Sequence, residues 1–199
     1  MASIFGGLHI EPQQADEMIQ NMFAALAARG GDAKAVYNEH NVIFGVRGTA
    51  DEAQKAIVMN PVKSVIAAIE GEIYNLAELR KLVGEDGAKF NQNNIFEVII
   101  ALYEKFGKDF PKYLNGIFAI VLWDNDQKIL YLVRDHLGSH SLFYTKNNDR
   151  LFFATTLQAL LHTGCVEREL SLFALNTYFS STAICPPNTM LKSVFCLRP

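Results

Sequence analysis

Gly116-Ile117-Phe118-Ala119-Ile120-Val121-Leu122-Trp123-Asp124-Asn125-Asp126-Gln127-Lys128-Ile129-Leu130-Tyr131-Leu132-Val133-Arg134-Asp135-His136-Leu137-Gly138 is the stretch that decides the fold. Ile117 to Trp123 and Ile129 to Val133 are apolar, β-branched and aromatic runs, and Asp124 to Gln127 between them is turn chemistry. The spacing predicts a β-hairpin whose second strand ends at Arg134-Asp135-His136-Leu137-Gly138. Both runs are almost continuously apolar, which predicts strands covered on both faces, as in two stacked sheets.

Working outward, Ser3 to His9 reads as a strand. Gln13 to Ala28 carries Met18, Ile19, Met22, Phe23, Leu26 and Ala27 at helical spacing, and Arg29-Gly30-Gly31 stops it. Val36 to Tyr37, Val42 to Val46, Ala56 to Met59 and Lys63 to Ile69 read as short strands. Tyr74 to Leu82 and Ile95 to Phe106 read as helices. Leu142 to Thr145 and Leu151 to Ala154 form a second strand pair around Asn147-Asn148-Asp149. Thr155 to His162 and Leu170 to Phe179 read as helices. The class is α+β.

Bulk composition narrows the function classes. The 199 residues are 50% hydrophobic and 20% charged, enough for a sizeable core in one domain with an extra segment. A net charge of -3 supplies no basic surface for nucleic acid. No apolar run approaches the ~20 residues that span a bilayer. Cys165, Cys185 and Cys196 lie late and lack metal-ligand spacing; with no signal peptide ahead of them they suggest a reducing cytoplasm. No phosphate-binding glycine loop is present.

Five motifs stand in order: Ile4-Phe5-Gly6-Gly7 with Arg29-Gly30-Gly31-Asp32; Gly71-Glu72-Ile73-Tyr74-Asn75 followed by Glu78-Leu79-Arg80; Gly116-Ile117-Phe118-Ala119; Arg134-Asp135-His136-Leu137-Gly138; and Phe153-Ala154-Thr155. Together they resemble the glutaminase domain of asparagine synthetase, a class II glutamine amidotransferase, over residues 1–163. The resemblance implies the four-layer αββα sandwich of N-terminal-nucleophile hydrolases. It implies that residues 164–199 begin a linker into an ATP-dependent synthetase domain absent from this chain. ATP and magnesium would belong to that domain, with no cofactor in this chain. The expected partner is that synthetase domain, with a homodimer left open and neither nucleic acid nor membrane expected.

The family's chemistry is hydrolysis of the glutamine side-chain amide. An N-terminal cysteine attacks and the chain's own α-amine serves as base. An asparagine and a glycine N–H hold the oxyanion. An arginine and an aspartate hold the substrate's α-carboxylate and α-amine. Here the nucleophile position matches Ala2, which has no lone pair to attack with. The oxyanion asparagine matches Glu70, which has no N–H to donate. The substrate-amine aspartate matches Ile95. Arg47, Gly71 and Glu72 remain as a vestigial binding set. These losses predict a domain without glutaminase activity that supports an ATP-dependent amide-forming domain. β-Lactam synthetase and lasso-peptide cyclases resemble this pattern. Two alternatives stand beside it: a working glutamine-hydrolysing domain with a substituted nucleophile, and a module that binds a small amide or amino acid.

Other candidates read as structural. His136 and His140, four apart beside Asp135, are the spacing of a metal pair, but the family's Arg-Asp-x-Leu-Gly turn holds no metal. Arg134 and Asp135 are expected to pair and brace that turn. His9, His40 and His162 have no partners at ligand spacing, and Trp123 is expected in the core. Glu70 and Glu72, two apart on a strand end, point the same way and could form a carboxylate pair, with a solvated strand end as the plainer reading.

Overall fold

The computed structural model describes residues 2–29, 31–39, 41–62, 64–84 and 94–199. Gly30, His40 and the first residue of the strand expected from Lys63 lie outside the described residues. In chain order the elements are β1 (Ser3–Leu8), α1 (Pro12–Ala25), β2 (Ala33–Glu39), β3 (Val42–Gly48), α2 (Ala50–Lys55), β4 (Ile57–Met59), β5 (Val65–Ile73), α3 (Leu76–Val83), α4 (Ile95–Phe106), β6 (Gly116–Asp124), β7 (Ile129–Arg134), β8 (Phe143–Asn147), β9 (Arg150–Ala154), α5 (Leu157–Leu161), α6 (Leu172–Ser181) and β10 (Val194–Cys196). Short 3-10 segments follow α1 at Ala27–Arg29 and α4 at Gly107–Tyr113.

The hairpin expected from the sequence is β6 and β7, paired from Ala119↔Arg134 to Asp124↔Ile129. It sits in a four-stranded antiparallel sheet of order β4-β5-β6-β7. A six-stranded sheet of order β10-β8-β9-β1-β3-β2 stacks on it. The continuous hydrophobicity of β6 has a direct physical cause. Ala119, Val121 and Trp123 face the space between the sheets with Ile4, Phe44, Val46, Ile66, Ala68 and Phe153. Phe118, Ile120 and Leu122 face the other way, against Leu79 of α3 and Val98, Ile99 and Leu102 of α4.

On the far side of the six-stranded sheet, Met18, Ile19 and Met22 of α1 and Ala159 and Leu160 of α5 pack on Phe5, Ile43 and Phe152. The result is the αββα order of layers. Phe5, Phe44, Phe118, Phe152 and Phe153 are fully buried, each contributing on the order of 1.5–3 kcal/mol of transfer free energy.

Three sequence expectations are amended. Arg134 and Asp135 do brace the turn, but through backbone groups rather than through each other. Arg134 donates to the carbonyls of Gly138, His140 and Leu197. Asp135 accepts from the N–H groups of Leu137 and Ser139 at 3.1 and 3.0 Å. The helix α2 was not expected, although Thr49 and Glu52 form a reciprocal capping box at its start. The tail from residue 164 is tied into the fold: β10 extends the first sheet by pairing with β8 from Val194↔Thr145 to Cys196↔Phe143. Trp123 lies in the core at 5% exposure, His9 and His162 are exposed, and Cys165, Cys185 and Cys196 are free thiols.

Candidate functional site

Strand β5 aims its even-numbered residues between the sheets, and Ile66 and Ala68 belong to that core. Glu70 follows in the same phase and is 1% exposed. A buried carboxylate needs a cation and hydrogen bonds, because losing hydration costs several kcal/mol per ion. Arg29, from the 3-10 segment after α1, donates to Glu70 Oε1 at 2.7 Å. Its Nε also donates to Ser3 Oγ at 3.3 Å, joining β1 to the same network. His140 Nδ1 stands 3.5 Å from Glu70 Oε1. Glu70 Oε2 is buried and accepts no hydrogen bond among the described residues.

Beside this network opens a cleft of about 580 Å³, within the usual size of small-molecule sites. Ala2, Lys55, Glu72, Tyr74, Phe96 and His140 line it, together with Gly71. Tyr74 is 59% exposed at its rim. Gly71 has φ +115°, and a Cβ there would lie 2.0 Å from the Ile117 carbonyl oxygen. Only glycine lets β5 pass so close to β6 at this point.

Helix α2 supplies the acidic wall. Its Glu52 caps the helix by accepting from the Thr49 N–H at 2.9 Å, and that bond holds the carboxyl below the usual carboxylate range. Lys55 pairs with Asp51 at 2.5 Å across one exposed turn, a contact worth only a few tenths of a kcal/mol.

The cleft thus brings together Ala2, Gly71 and Glu72, with Glu70 directly behind it. The two carboxylates do not share one environment, since Glu70 is buried and Glu72 is exposed. Ile95 opens α4, capped by Asn94, and packs with the helix-side core; its neighbour Phe96 lines the cleft. Arg47 is not among the lining residues. Its guanidinium donates to the Phe23 carbonyl at 3.0 Å and stacks 4.2 Å above the Phe23 ring. Arg29 and His140 were not assigned to Glu70 from the sequence. The residues lie far apart in the chain, and only the folded layers bring them together. Among the described residues, no group of three or more His, Cys, Asp or Glu side chains is placed to hold a metal ion.

The chain matches the family model described as glutamine amidotransferase domain over residues 1–199. It is 28% identical to asparagine synthetase [glutamine-hydrolyzing] 3 of Bacillus subtilis over 100% of this chain and 34% of that protein. It is 30% identical to asparagine synthetase B [glutamine-hydrolyzing] of Escherichia coli over 81% of this chain and 30% of that protein. The chain therefore spans about a third of the length of these curated relatives. Its fold is that of the solved glutamine phosphoribosylpyrophosphate amidotransferase of B. subtilis, with a TM-score of 0.62 and 15% identity over 85% of this chain and 45% of that one. This is the N-terminal-nucleophile hydrolase type. With its layers, its glycine-pinned cleft and a full-length sequence match in agreement, the chain belongs to the glutamine amidotransferase domain family.

Proposed function

We propose that this domain does not hydrolyse glutamine and instead serves as the structural partner of an ATP-dependent amide-forming domain. The observation that carries the reading is Glu70. At the position matching the oxyanion asparagine, it is a buried carboxylate held by Arg29 at 2.7 Å. A developing oxyanion 4 Å from that charge would be opposed by on the order of 4 kcal/mol at an effective dielectric of about 20. Arg29 offsets the charge, but its two hydrogen bonds described above go to Glu70 and Ser3. The position matching the nucleophile is Ala2, which lines the cleft with a methyl group. The matched Arg47 is engaged with Phe23, away from the cleft.

ATP and magnesium would belong to the partner domain, and the three free thiols suit a reducing cytoplasm. The test is ammonia release from glutamine. No turnover is expected from the domain, and none from an Ala2→Cys variant, because cysteine restores the attacking atom but leaves Glu70 in place. Turnover by the unaltered domain at ordinary enzyme rates of about 1 s⁻¹ or more would overturn the proposal. Turnover only in Ala2→Cys would favour a working glutaminase pocket with a substituted nucleophile.

One observation favours a second reading, a module for a small amide or amino acid. The cleft stays open and carries the exposed Glu72 on its wall, a carboxylate that suits the ammonium group of an amino acid. Calorimetric titration with glutamine and asparagine tests it, and the absence of heat at millimolar ligand removes it.

A further inference from the structure

A second cleft lies on the outer face of the six-stranded sheet, between α1, β9 and the turn that follows α5. It encloses about 420 Å³, within the usual size of small-molecule sites, and shares no lining residue with the cleft beside Glu70. Helix α1 forms one wall. Gln14, Glu17, Met18 and Asn21 follow i, i+3, i+4 and i+7 spacing, so they stand on one face of the helix, and all four line the cleft. Arg150, at the start of β9, and the turn from His162 to Cys165 close the other side.

These walls are held in place. The Arg150 guanidinium donates to Gln14 Oε1 at 3.3 Å and lies 6.0 Å over the ring of the buried Phe152. In the turn, Thr163 Oγ1 donates to the Leu160 carbonyl at 2.7 Å and accepts from the Cys165 N–H at 3.1 Å. Asn147 donates to the Cys165 carbonyl at 3.4 Å, which ties the turn to β8.

Two opposite charges in this cleft are unmatched. Among the described residues, Arg150 and Glu17 form no ion pair with each other or with any other side chain. The guanidinium carries five N–H donors in a planar fork, and one bond to Gln14 leaves most of them available to take a carboxylate through two parallel bonds. The Glu17 carboxylate only accepts, and it suits an ammonium group. Residues one turn apart on a helix have Cβ atoms about 5–6 Å apart, so a guanidinium bonded to Gln14 stands within a small zwitterion's reach of Glu17. A simple anion would satisfy Arg150 alone, and a simple cation Glu17 alone.

We propose that this second cleft binds a free amino acid, with its carboxylate on Arg150 and its ammonium on Glu17. The amides of Gln14 and Asn21 stand one turn to either side of Glu17 to complete the polar contacts, and Met18 and Phe152 give the ligand's carbon atoms an apolar floor. The site stands apart from the cleft beside Glu70 and does not depend on how that cleft is read.

The experiment titrates serine, leucine and glutamine separately into the 199-residue chain and follows heat by calorimetry. At least one should bind at millimolar concentration. Arg150→Gln and Glu17→Gln should each weaken that binding by at least about 10-fold, the value of a lost charge-assisted bond. N-acetylation of the ligand, which removes its ammonium, and esterification, which removes its carboxylate, should each do the same. Glu78→Gln, exposed on α3 and outside both clefts, should leave binding unchanged. Glu17 is exposed and Arg150 half-buried, so the variants should melt close to the unaltered chain. Heat that survives both Arg150→Gln and Glu17→Gln places the ligand elsewhere and overturns the inference. Acetate or inorganic phosphate binding as tightly as the amino acids marks a plain anion site and also overturns it, as does the absence of heat from all three amino acids.

Discussion

At Glu70 a single side chain carries both the local energetics and the functional reading. Its carboxylate is sealed between the sheets, so its stability depends on Arg29. Arg29→Ala should cost about 1–3 kcal/mol, the value of a charge-assisted bond whose donor is partly exposed. In the Arg29→Ala background, Glu70→Gln should recover most of that loss, since a neutral amide is cheaper to bury than an unpaired anion. Urea unfolding of the double-mutant cycle measures this, and additive losses would show that the pair is not coupled. Gly71→Ala should cost at least about 2 kcal/mol, because it combines a positive φ with a collision against the Ile117 carbonyl; a variant melting at the original temperature would contradict the geometry. The sequence could show that Glu70 lacks a proton to give. It could not show Arg29 and His140 meeting there, because such meetings depend on how layers far apart in the chain come together.

Among the elements, the turn after β7 makes the clearest pH statement. Burial alone would raise the Asp135 carboxyl, but the backbone N–H bonds from Ser139, His140 and Leu137 outweigh it and hold the group below its ordinary 3.8. A depressed folded-state value means that the unfolded chain binds more protons in that range, so the stabilisation is complete above about pH 4 and fades as acid titrates the folded group. Asp135→Asn should therefore cost about 1–3 kcal/mol at neutral pH, and the gap to the unaltered protein should narrow below pH 4. Chemical unfolding at pH 7 and pH 3 checks the sign, and a gap that widens in acid would refute it. Strong periodicity made other elements legible. The helix expected over Ile95 to Phe106 is α4 residue for residue, and the hairpin differs from its reading by a residue at three of its four strand ends. Where sequence reading fell short, the signal was weak or local. The strand expected only at Val36 to Tyr37 runs from Ala33 to Glu39, because an edge strand alternates exposed polar residues that dilute its pattern. Helix α2 has just six residues, and its Thr49–Glu52 cap was the one available cue.

For the molecule as a whole, one rule gave the stacking of two sheets: strands apolar on both faces need a covering on both. The outer helical layers were expected from the family resemblance alone, while strand order and the place of the C-terminal residues came from long-range pairing that composition does not encode. Strand β10 has a practical bearing on any attempt to isolate this unit. Cutting the polypeptide after residue 163 would strip the outermost rung from the larger sheet, leave β8 with a raw hydrogen-bonding margin, and deprive Arg134 of its Leu197 acceptor. Such a shortened product should come out of cells as insoluble material, whereas one ending at residue 199 should remain in the supernatant; equal yields of soluble protein from both would mean that the last rung is dispensable.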